Sequence, residues 1–166
     1  MRLKINLPDR RFVDASIFIN WLKAAPIAVM DDIVATSGYV LYRIETGEEA
    51  LTTVTTKDEV AIWLSRYRVT ALRTFLELLS GYTALQIVTP SKEDQINAGK
   101  LMGKYRLGYS DLLNLQTMKR HGVKEIYSSD TGFDTAPEMR RVFDELREET
   151  EYREFLNMLK RTSRKR

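Results

Sequence analysis

The chain has 166 residues, 43% of them hydrophobic, and its 26 Lys and Arg against 23 Asp and Glu give a formal net charge of +3. That is enough apolar content for one sizeable core and too much for a disordered chain, and the mild basic bias permits a polyanionic partner without requiring one. The lack of Cys excludes disulfides, thiolate-zinc sites and Cys nucleophiles, and a single His, His121, gives zincin motifs and Ser-His-Asp triads poor support. Any bound metal must then be held by oxygen, which favours hard ions such as magnesium or manganese.

From the N-terminus, MRLKINLPDRRF is short and charged, and no apolar run approaches ~20 residues, so neither a signal peptide nor a membrane span is expected and a soluble cytoplasmic protein is. RRFVDASIFINWLK reads as a short strand ending near Val13, then Asp14, then a helix opened by Ser16. DDIVATSGYVLYRIETGEE reads as a helix capped by Asp31 and Asp32, with Thr36 to Gly38 a weak middle. ALTTVTT is a β-branched strand leading into a helix with Val60, Trp63, Leu64 and Tyr67 on one face and bearing Glu59. A further helix through Leu72, Phe75, Leu76 and Leu79 closes at Gly81, and ALQIVTP is a strand stopped by Pro90.

Ser91 can cap a helix running to about Tyr105, imperfect at Gly103; Gly108 breaks the chain, and Ser110 can cap the next helix, which ends at His121-Gly122. VKEIYSSD supplies the last clear strand. Beyond Pro137, Met139, Val142, Phe143 and Leu146, then Tyr152, Phe155, Leu156 and Leu159, mark an amphipathic helix broken near Glu149 and ending in a basic tail. It is either a packed C-terminal helix or a contact for an oligomer or RNA.

Strands separated by helices of this length predict an α/β fold with a parallel sheet covered on both faces, whose ligand crevice lies beyond the strand carboxyl ends. Asp14 and Asp130 fall on that edge, and Glu59 and Asp111 open helices. Each acid has an ordinary alternative. Thr56 and Glu59 fit a capping box, Asp111 suits the first turn of a helix, Asp130 can make an Asx turn, and Asp14 can cap the first helix. Their joint placement at one edge is what points to a shared cation, because clustered carboxylates repel until one neutralises them.

FVDASIFINWL, TTKDEVAIWLSRY and GYSDLLNLQTMKRHGVKEIYSSDTGFD, in that order, resemble the motifs of PIN-domain ribonucleases, especially the VapC-type toxins of toxin-antitoxin pairs, over residues 12–142. The resemblance implies a three-layer α/β/α fold over 1–136, a C-terminal helical extension over 137–166, and a Mg2+- or Mn2+-dependent acidic site. It carries the catalytic quartet onto Asp14, Glu59, Asp111 and Asp130, with Asp14, Asp111, Asp130 and Asp134 as metal ligands and Ser16 and Ser129 as hydrogen-bonding neighbours of the carboxylates. Asp134 has the alternative of only fixing the turn around Phe133. RNA, such as tRNA or ribosomal RNA, is the implied substrate; an antitoxin protein and a second copy of the chain, as a homodimer, are expected partners. Lys100, Lys104 and Arg106 are candidates to guide its backbone, or simply a solvated helix face. The rival functions are a free-standing RNA-processing nuclease and a module that binds RNA or protein without cutting. Haloacid-dehalogenase-like phosphatases need a second Asp where Ser16 stands, and there is no glycine-rich nucleotide loop.

Overall fold

Between successive strands the chain returns to the same edge, through α-helices in all but the last connection, which holds only a 3-10 turn, so neighbouring strands run parallel. The structure, a computed structural model, describes residues 9–24 and 30–163; the first eight residues of the charged N-terminus and residues 164–166 of the basic tail lie outside the described residues. Strands β1 (Arg11–Val13), β2 (Ala50–Thr53), β3 (Leu85–Val88), β4 (Glu125–Tyr127) and β5 (Arg140–Val142) form one sheet in the order β3-β2-β1-β4-β5, every pair parallel. Successive residues of a strand face opposite sides. Phe12, Leu51 and Ile126 therefore join one core with α5 (Lys92–Lys100) and α6 (Tyr109–Arg120). Val13, Ala50 and Tyr127 join the other, with α1 (Ala15–Leu22), α2 (Asp32–Glu45), α3 (Val54–Tyr67), α4 (Val69–Gly81) and α7 (Thr150–Ser163). This is the three-layer α/β/α arrangement that the sequence predicts.

Three local expectations are corrected. Helix α3 begins at Val54, capped by the Thr53 hydroxyl accepting from the Thr56 amide at 3.1 Å, so Thr56 and Glu59 do not form the expected capping box. The helix expected to reach Tyr105 stops at Lys100; Ser91 does cap it, in a box with Asp94, and the chain then turns through Gly103 at φ +80°. After Pro137 the apolar spacing reads as helix, yet Arg140–Val142 is the edge strand β5 and a 3-10 turn, Asp144–Glu148, precedes α7. Of the two arginines that obscure the strand, Arg140 suits an exposed edge, where charge discourages further pairing, and is matched by Glu125 and Glu145, whereas Arg141 is largely covered and paired with Asp134 and Asp144.

Helix α7 packs one face against the body of the fold, as its reading as a packed C-terminal helix expects. Tyr152 and Phe155 are buried against α2, with Tyr39 edge-on to Tyr152 at 5.3 Å and Tyr42 at 5.3 Å from Phe155. Glu149, at its start, accepts from the Tyr39 hydroxyl at 2.7 Å and from Arg43 at 2.6 Å.

The weak middle of α2 has a physical use. Thr36 and Ser37 turn their hydroxyls back onto the carbonyls of Asp32 and Ile33, at 2.6 and 2.8 Å, and Gly38 lets the Trp21 indole of α1 lie against the helix backbone. A Cβ at Gly38 would meet that ring at 2.3 Å. Gly38→Ala is expected to cost about 1–3 kcal/mol through overpacking, a drop of about 2–10 °C in Tm; calorimetry showing an unchanged or raised Tm would contradict the packing described.

Candidate active site

The chain runs from β1 to β2 and β3 on one side and returns to β4 and β5 on the other, so β1 and β4 flank the point where strand order reverses. Asp14 follows β1 directly, and its amide donates to the Tyr127 carbonyl at 3.1 Å, closing the β1–β4 ladder. Asp130 follows β4 by three residues and caps the 3-10 turn Thr131–Thr135, accepting from the Gly132 amide at 2.7 Å. Asp111, in the first turn of α6, accepts from the Gly108 amide at 3.2 Å, so Gly108 rather than Ser110 is the capping position. Three of the four acids thus also accept a backbone N–H at the start of a helix or turn. Glu59 is not: it sits one turn beyond Thr56 on α3, and among the described residues it accepts no hydrogen bond and forms no ion pair.

Glu59 and Asp111 feel the negative charge of their neighbours. Asp14 is buried, and burial pushes its pKa up against the hydrogen bonds of Ser16 and Ser128, which favour the anion. Glu59 keeps solvent contact, but the desolvation it does undergo, with added repulsion from Asp14 and Asp111, raises it to about 7. Asp111 is raised to about 6 by burial and by Asp14, then by Asp130, with the Gly108 N–H opposing. No Lys or Arg among the described residues pairs with any of the four. Nor are three of these side chains drawn closely enough together to hold an ion as they stand. The acids are in Coulombic reach rather than ligand contact. The donor chemistry still fits a hard divalent cation: the oxygens are all carboxylate, and the charge that lifts Glu59 and Asp111 is the charge a cation would relieve.

Asp134, unlike these four, is ion-paired. Its two oxygens accept from Arg141 at 2.9 and 3.2 Å, and Arg141 also donates to Asp144 at 2.9 Å and to the Ser128 carbonyl at 3.3 Å. The charges acting on Glu59 and Asp111 come from Asp14, Asp111 and Asp130. Of the two expected serines, Ser16 supports Asp14 through its amide at 3.3 Å, whereas Ser129 accepts from Asn20 at 2.9 Å and donates its amide to the Ser16 hydroxyl. The serine that bonds Asp14 is Ser128, completely buried, donating at 2.7 Å while accepting from the Asp130 amide at 3.0 Å. The register shows why: Phe12 pairs with Ile126 and Val13 with Tyr127, so Asp14 and Ser128 are the next pair across the two strands.

Two further devices, absent from the motif reading, set the spacing. Asn114, one turn after Asp111, accepts from the Thr53 hydroxyl at 2.7 Å and donates to Thr56 at 3.1 Å, which ties α6 to the start of α3 in a buried, satisfied network. Gly132 lets the turn after Asp130 close on the loop before Asp111: a Cβ there would lie 2.4 Å from the Arg106 carbonyl. Lys100, Lys104 and Arg106 are exposed, and the Arg106 amide donates to Thr135 at 3.1 Å.

Folded Glu59 and Asp111 hold protons to higher pH than the unfolded chain, whose carboxyls titrate near 4. Between about pH 4 and 7 the native state therefore binds more protons, and stability falls as pH rises. Solvent around the exposed Glu59 reduces the size of this effect. In EDTA, Tm of the wild type should fall more steeply from pH 5 to 7.5 than that of Asp14→Asn, and Mn2+ at pH 7.5 should raise the wild type while barely moving the variant. Parallel slopes with equal Mn2+ shifts would contradict a shared charge cluster.

A family model for the PIN domain matches residues 11–139. Among solved structures, VapC20 of Mycobacterium tuberculosis, described as a sarcin-ricin loop cleaving toxin, aligns with a TM-score of 0.61 at 16% identity, covering 77% of this chain and 95% of its own. A toxin-antitoxin complex from Klebsiella pneumoniae aligns at 0.56 and 17% identity, covering 80% and 95%, and VapBC2 of Rickettsia felis, bound to a promoter DNA fragment, at 0.56 and 13%, covering 81% and 98%. A search of curated protein sequences finds no match. At such identities the structural likenesses establish the fold, and the family match, which spans more than half of the sequence, establishes that this chain belongs to the PIN domain family.

Proposed function

We propose that this protein is a divalent-metal-dependent endoribonuclease and the toxin of a toxin-antitoxin pair. The observation that carries the reading is the gathering of Asp14, Glu59, Asp111 and Asp130 at the switch-point edge of the sheet, with no basic side chain among the described residues paired to any of them. A surface that only binds a polyanion has no use for clustered negative charge. Membership of the PIN family and likeness to structures described as toxins support the same reading. Among the described residues no helix is long and apolar enough to cross a membrane, in keeping with work on RNA in the cytoplasm.

In this reading Asp14, Asp111 and Asp130 hold Mg2+ or Mn2+, and Asp134 serves the Arg141 ion pair. When bound, the ion supplies Lewis acidity to water and offsets charge on the phosphate oxygens. Glu59, lifted to about 7, is suited to take a proton from the attacking water. Ser128 fixes the Asp14 carboxylate and, through the Asp130 amide, the start of the neighbouring turn. Arg141 braces that turn from outside by gripping Asp134, Asp144 and the Ser128 carbonyl. The antitoxin would bind as a protein partner, and a homodimer is the assembly proposed for the toxin.

Asp111→Asn, which keeps an oxygen able to accept from the Gly108 amide, should abolish cleavage of total RNA while circular dichroism stays native; retained cleavage would remove Asp111 from the site. Ser128→Ala should lower cleavage about 10–100-fold, and Ser129→Ala much less; equal effects would show that the bond to Asp14 does not position it.

A further inference from the structure

A cavity of about 540 Å³ opens between α5, α6 and the segment Ala136–Met139, apart from the acidic cluster. That volume suits a ligand the size of a nucleotide. Part of the lining is apolar, from Leu101, Leu115 and Met139, with Tyr105 beside them. Four exposed lysines, Lys100, Lys104, Lys119 and Lys124, also line it, against one acid, Glu138, which lies 3.5 Å from Lys119. The Lys104 ammonium sits 5.4 Å from the Tyr105 ring centroid, so a positive charge and an aromatic face are presented side by side.

A purely ionic ligand has no need of the apolar lining, and a purely apolar one has no need of four ammonium groups. Single-stranded nucleic acid asks for both, because its bases stack on aromatic and apolar surface while its phosphates seek cations. The position agrees. Two segments link cavity and acids, one from Tyr105 through Arg106 to Asp111, the other from Asp130 through the turn Thr131–Thr135 to Ala136, and they are joined by the Arg106–Thr135 hydrogen bond. A 3-10 turn rises about 2 Å per residue, which sets the cavity on the order of 10 Å from Asp130. A strand stacked as in a duplex advances about 3.4 Å per nucleotide and a drawn-out single strand more, so the gap corresponds to about one to three nucleotides.

We propose that this cavity is a flanking-nucleotide subsite: it takes one base of single-stranded RNA a few positions from the cleaved bond, with the adjacent phosphates on Lys100, Lys104 and Lys124. The proposal rests on the nuclease reading for the direction of the strand, but the binding it describes is measurable without catalysis.

The test is binding of a short single-stranded oligoribonucleotide in EDTA by wild type, by Lys104→Glu/Lys124→Glu, and by Lys160→Glu/Arg161→Glu on α7, which changes net charge equally at exposed positions. The cavity variant should bind at least tenfold more weakly than the α7 variant. Its slope of log affinity against log salt should be shallower than wild type by about 1.4, two contacts at about 0.7 each. An abasic substitution scanned along the strand should weaken wild-type binding about tenfold at one position and have little effect at that position on the cavity variant. Equal weakening by both variants, or none, overturns the subsite. If wild type cleaves RNA while the cavity variant binds and cleaves normally, the subsite fails and the nuclease stands. If wild type does not cleave with Mg2+ or Mn2+ but the cavity variant alone loses binding, the subsite stands and the nuclease fails.

Discussion

Repulsion among carboxylates gathered at one end of a parallel sheet is the constraint on which this molecule turns. A strand pair at the switch point delivers Asp14 and the Asp130 turn side by side, while α3 and α6 bring Glu59 and Asp111 to the same edge. A fold does not assemble uncompensated like charges for stability, since their mutual field raises the cost of ionising each. The surrounding residues hold them in place: Ser128 on Asp14, the Asn114–Thr53–Thr56 network between two helices, and the tight approach at Gly132.

Capping and clustering are not rival explanations for these acids. Asp14, Asp111 and Asp130 each use an oxygen to accept a backbone N–H at the start of a helix or turn, and those starts are what lie at the carboxyl edge of a parallel sheet. Capping orients each carboxylate and sets which of its oxygens is left for a ligand. Glu59 lacks such a bond, and it is the acid raised to about 7.

Much of this was legible in the sequence because it is local. Helix periodicity, β-branched runs and acids after strands identify four of the five strands and the four coupled carboxylates. Features that depend on register or on distant partners were not. Ser128 rather than Ser129 follows from the pairing of Val13 with Tyr127, which no linear pattern contains. The edge strand β5 carries two arginines in three residues and mimics a helix face, and the ion-pair partner of Asp134 emerges only once Arg141 is brought to it from β5. Asn114 reads as a polar residue in a helix until Thr53 and Thr56 appear opposite it.

The proposed site would hold a divalent cation jointly by acids from separate parts of the chain. An anomalous difference map from crystals grown with Mn2+ tests it most directly. A shared site places a peak within about 2–2.5 Å of oxygens from Asp14, Asp111 and Asp130, with Asp134 still on Arg141. A fully loaded crystal with its peak elsewhere, or with those three carboxylates turned to separate surfaces, would contradict it.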